Sequence, residues 1–141
     1  MASDSDWDAK QLVPMGMFEL AGKWTEAIKV IGAGNGAGLV GAGAALTTFS
    51  AHPPMLFFIK AGGICFFAGV FTFALAFACI HLSTFAYDEM LHAMRRKEAE
   101  ATKSNSATTT SAMMAANYLA FASSICFFLG LLSGLVAFLR F

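Results

Sequence analysis

Charge is missing from most of this sequence. Residues 61–80 and 112–139 contain no Asp, Glu, Lys or Arg, and no acidic side chain occurs between Glu26 and Asp88. A helix of about 20 apolar residues covers the roughly 30 Å hydrocarbon core of a bilayer, so each stretch is long enough to cross. Proline is equally scarce, with only Pro14, Pro53 and Pro54 to interrupt a helix. The three cysteines, Cys65, Cys79 and Cys126, all lie inside apolar runs and have no Cys/His spacing that suits zinc. An odd set of thiols in such runs is not a disulfide framework, and small apolar fillers are the expected role. Nine basic residues balance nine acidic ones, which removes any net-charge argument for nucleic acid. The start, Met1–Asp8, is acidic where a secretory signal is basic, and Ala2 stands where myristoylation needs glycine. Insertion through the chain's own helices is therefore expected.

What is present is helical patterning. Residues 1–14 form a polar tail. Over residues 15–29 the apolar positions Met17, Leu20, Ala21, Trp24 and Ile28 recur at three- and four-residue spacing, with Glu19, Lys23, Glu26 and Lys29 on the opposite side. Glu19 and Lys23 are a favourably ordered i,i+4 pair. The pattern predicts an amphipathic helix lying on the membrane surface, with Trp24 among the lipid headgroups.

The next segment, residues 30–49, predicts a first crossing. It carries Gly32, Gly34, Gly36, Gly38, Gly41 and Gly43, which contribute little to insertion but allow close backbone approach. Gly34, Gly38 and Ala42 form one small-residue ridge; Ala37, Gly41 and Ala45 form another. A helix smooth on two sides is suited to being sandwiched. A second crossing is expected over residues 57–82, with Lys60 reaching toward the near interface. It continues as a cytoplasmic helical extension, and the Ser/Thr/Asn-rich residues 102–111 predict a linker that completes the region 83–111. Residues 113–139 make the third crossing, with Gly130 and Gly134 as a further contact stripe.

The expected architecture is therefore all-α, an integral membrane bundle of three transmembrane helices preceded by a surface helix. Seven basic residues (Lys10, Lys23, Lys29, Arg95, Arg96, Lys97 and Lys103) fall on one side of such a bundle, and only Lys60 and Arg140 on the other. The positive-inside bias predicts a cytoplasmic N-terminus and an external C-terminus in a cell membrane, the inner membrane in a bacterium. Arg95, Arg96 and Lys97 are expected to attract anionic headgroups.

Two motifs resemble known families without carrying their chemistry. Residues 28–37 hold Gly32-x-Gly34-x-x-Ala37, which resembles the dinucleotide-binding fingerprint. That fold needs an acid about 20 residues on, where this chain has His52-Pro53-Pro54. The glycine run also resembles the first helix of the proton-carrying ring subunit of rotary ATPases. The partner helix there bears a carboxylate, and residues 55–87 have none. Without a membrane-embedded acid, the usual group for coupling to protons is missing. Asn35 is the polar side chain within the glycine-rich crossing, and an interhelical hydrogen bond is its expected role.

Glu89-x-x-His92 matches one local element of a di-iron site, but those sites need two such motifs and further carboxylates. Residues 64–69 and 125–130 share Ile-Cys-Phe-Phe-x-Gly at an offset of 61. Coincidence within a small apolar alphabet is the expected reading of that match, with an inverted repeat of the kind transporters use as the alternative. No catalytic, cofactor or metal residues are expected. The residues expected to pack helices are Gly34, Gly38, Gly41, Ala45, Gly130 and Gly134. The functional expectation is a non-enzymatic membrane protein acting through helix–helix association, with the bilayer and either a membrane protein or a second copy as partners. A holin-like pore-former is the alternative, followed by a dimeric small transporter.

Overall fold

The structure, a computed structural model, describes residues 17–140, with side chains from residue 22 onward. The polar tail 1–14 lies outside the described residues, and so does the side chain of Glu19 in the expected Glu19–Lys23 pair. All the described elements are helices: α1 (Met17–Thr48), α2 (Pro53–Arg95) and α3 (Ala99–Leu139). All three are long and apolar enough to cross a membrane, which points to a membrane location. At 1.5 Å per residue, α2 and α3 are each more than about 60 Å long, roughly twice the hydrocarbon core.

The amphipathic stretch is not a separate surface helix. It is the first part of α1, continuous with the glycine-rich segment. At the end of its apolar stripe, Ile28 faces protein: it is only 3% exposed and packs in a cluster with Ala76, Ile80, Ala116 and Ala120, whereas Trp24 one turn earlier is 46% exposed. The stripe reads the same whether the apolar partner is lipid or a neighbouring helix, so periodicity alone points to either.

Pro53 and Pro54 both stop α1 and open α2. Proline suits the first helical positions, where its missing N–H has no intrahelical partner anyway. The turn between them is closed by the backbone of His52 donating to the Phe49 carbonyl at 3.0 Å.

The expected linker at 102–111 is helical, and the turn lies earlier, at residues 96–98. Lys97 adopts a left-handed conformation at φ 60°. Its N–H donates to the Met94 carbonyl at 3.1 Å, and that of Glu98 to the Ala93 carbonyl at 3.0 Å. This is a Schellman motif, in which one left-handed residue lets the last free carbonyls be satisfied. The Ser/Thr run stays helical because its hydroxyls donate back to carbonyls four residues earlier. Thr108, Thr109 and Thr110 donate to Ser104, Asn105 and Ser106 at 2.8–3.1 Å. Residues 83–112 are thus a two-helix hairpin, closed by Ala86, Ala93, Thr109 and Ala112 and by Ser83 Oγ donating to the Thr109 carbonyl at 3.1 Å.

Candidate functional site: a three-helix polar node and an apolar cleft

Close packing near the middle of the bundle comes from bulky groups entering glycine holes. A methyl group on Gly32 would come within 2.6 Å of the Phe73 ring, and one on Gly34 within 2.9 Å of Phe127. The Phe66 ring fills the gap between α1 and α3, lying against Gly38 on one side and within 2.7 Å of where a methyl on Gly130 would be. In each case the ring needs the space that a side chain would take.

Beside Phe66 the three helices meet through polar groups. Asn35 is fully buried on α1. Its Nδ2 donates to Ser123 Oγ at 3.1 Å, to the Ser123 carbonyl at 3.2 Å, and to its own helix at the Ile31 carbonyl, also 3.2 Å. Ser123 Oγ in turn donates to the Gly69 carbonyl on α2 at 2.8 Å. The hydroxyl accepts from one helix and donates to another, so a single serine ties α3 to both neighbours. Asn35 Oδ1 has no hydrogen-bond partner and lies in the place a side chain on Gly69 would occupy. The glycine offers a Cα–H at that place, a weak donor.

The bundle opens on the other side of Phe66. From Gly38 to the 49–52 turn, α1 and α3 bound an apolar cleft of about 490 Å³ with α2 as its floor. Its walls include Gly41, Ala45, Gly134 and Phe138, and its floor Ile59 and Gly62. A cluster of Met55, Ile59 and Ala137 supports its outer end. There Arg140 places its guanidinium carbon 5.0 Å from the centroid of the Phe58 ring.

The residues expected to pack helices divide between these environments. Gly34, Gly38 and Gly130 receive aromatic rings, and Ala45 packs beside the Met55–Ile59–Ala137 cluster. Gly41 and Gly134 have nothing within 4 Å of the point where a Cβ would stand, and both line the cleft. The residues expected among lipid headgroups are also separated. Trp24 is half-exposed, one turn before Ile28. Arg95, Arg96 and Lys97 sit at the hairpin tip, about 20 Å of helix beyond residue 82. Arg96 is held there by Glu98, with Nε–Oε1 at 2.9 Å.

Asn35 is legible in the sequence as an interhelical donor. Ser123, Gly69 and Phe66 are not, because their roles depend on which levels of three helices coincide. The two Ile-Cys-Phe-Phe-x-Gly segments do meet, with the Phe66 and Phe127 rings 6.3 Å apart. His92 of the partial di-iron pattern instead lies 3.6 Å from Asp88. Comparison with family models, characterised proteins and solved structures finds no match.

Proposed function

We propose that this is a non-enzymatic polytopic membrane protein that acts through helix–helix association, as an accessory subunit of a membrane assembly or as a homo-oligomer. The observation that carries this reading is the outward face of α1. Ala33, Ala37 and Ala44 are exposed there around Val40, which is 74% exposed, and Gly36 and Gly43 have nothing within 4 Å of a side-chain position. Helices in lipid gain no hydrophobic drive from meeting, so a face of mostly small residues offers what they do need, close backbone contact. The inner face of α1 uses its glycines to hold its own bundle, which leaves the outer face for another chain. The basic tip at Arg95, Arg96 and Lys97 lies on the cytoplasmic side in this reading, and the C-terminus outside.

Gly36→Leu and Gly43→Leu test it. Each enlarges the outer face without meeting any group of its own chain, and each makes the segment more apolar. The expected result is retained insertion and helix content, with loss of the detergent-resistant complex. An unchanged complex in both variants overturns the reading. Dye release from liposomes by the intact protein would point to a pore-former instead.

A further inference from the structure

The cleft differs from the outer face of α1 in shape, and its dimensions restrict what can enter. It runs along α1 from Gly38 to Phe49, about 16 Å of helix axis. That is close to half of the roughly 30 Å hydrocarbon core, the depth of one leaflet. An alkyl chain about 4–5 Å across at carbon–carbon contact displaces roughly 200–300 Å³ over the same length. The cleft of about 490 Å³ therefore has room for one acyl chain along its length.

The charge at the mouth selects among lipids. Arg140 lies over Phe58, a lining residue, at the α3 C-terminal end of the cleft. No Asp or Glu side chain occurs in residues 27–87 or 101–139, so among the described residues no acidic side chain from this end of the bundle neutralises it. A guanidinium there suits the phosphate of a headgroup whose chain lies below. We infer that the cleft between α1 and α3 seats one acyl chain of an anionic phospholipid, with its phosphate at Arg140.

The test is native mass spectrometry of the full chain in mild detergent micelles doped with equal amounts of phosphatidylglycerol and phosphatidylcholine. The intact protein should retain one phosphatidylglycerol per chain, about fivefold in preference to phosphatidylcholine. That ratio is what one basic residue near an anionic surface contributes. Arg140→Gln should reduce the preference to near unity. Gly134→Leu should abolish retention of either lipid, with unchanged helix content by circular dichroism. Gly41→Leu fills the cleft from the opposite wall and serves if the first variant fails to fold. Wild-type lipid retention in a folded cleft-filling variant overturns the inference. So does a headgroup preference that survives Arg140→Gln. A lipid-free dimer that Gly134→Leu converts to monomer also overturns it, and assigns the cleft to a second copy.

Discussion

The two halves of this bundle are built from the same small residues and pack in opposite ways. Toward the hairpin, Gly32, Gly34, Gly38 and Gly69 each face a large group: Phe73, Phe127, Phe66 and the Asn35 amide respectively. Toward the 49–52 turn, Gly41 and Gly134 face nothing within contact distance. A glycine is a hole in a helix surface, and it becomes a contact only where a knob stands at the same level on a neighbour. Where holes meet across a gap, the result is a cleft. In lipid this matters more than in water, because no hydrophobic drive closes a gap between helices that lack complementary shape.

The largest expected effect breaks that comparison directly. Gly69→Ala adds a single methyl group where the Asn35 amide already sits, and the amide cannot swing away without losing Ser123. Overpacking of a tight core costs about 1–3 kcal/mol, and this site should fall at the upper end. Gly134→Ala adds the same methyl to the open wall. It should be neutral or slightly stabilising, since alanine is the better helix former by about 1 kcal/mol. Thermal denaturation of both variants in detergent should separate them by several degrees. Equal melting temperatures would mean that the halves do not differ as described.

A smaller change sharpens the account of the closed half. Ser123→Ala removes the hydroxyl that accepts from Asn35 and donates to the Gly69 carbonyl. Interhelical hydrogen bonds in membranes are worth about 0.6–1.7 kcal/mol each. Asn35 keeps the Ser123 and Ile31 carbonyls as acceptors, so a loss of about 1 kcal/mol is expected, read as a lower unfolding midpoint. Ser124→Ala is the control, because its hydroxyl donates only within its own helix, to the Ala120 carbonyl. A loss as large at Ser124 as at Ser123 would remove the node as a distinct contributor.

The contrast between the halves is only partly legible in the chain. The three long apolar helices and the break between the first two follow from uncharged runs and from Pro53-Pro54, which act locally. The glycine ridges are visible too, but not their division. Whether Gly38 or Gly41 meets a ring depends on the register of α2, a property of three helices together. The stripe through Ile28 suggests a lipid-facing surface because an apolar face has the same period whatever covers it. The misplaced linker has a local cause. Ser, Thr and Asn favour turns because their side chains compete for backbone groups, yet in residues 102–111 the threonines donate back along the helix instead. The real turn carries lysine where glycine is the usual signal.

That lysine supports the smallest prediction, at the point farthest from the cleft. A left-handed conformation costs an ordinary residue roughly 1–2 kcal/mol, and Lys97 bears that cost to complete the Schellman turn that sends α3 back along α2. Lys97→Gly removes that strain. Glycine offsets about 0.5–1 kcal/mol of the gain through the greater freedom of its unfolded chain. The balance is a stabilisation of a few tenths of a kcal/mol up to about 1 kcal/mol, seen as a slightly higher unfolding midpoint. Lys97→Ala separates conformation from charge, since alanine keeps the strain while losing the same ammonium group. It should be no more stable than the parent. If the alanine variant gains as much as the glycine variant, the gain comes from relieving repulsion with Arg95 and Arg96. In that case the turn at 96–98 costs the hairpin little, and the closed half of the bundle does not depend on it.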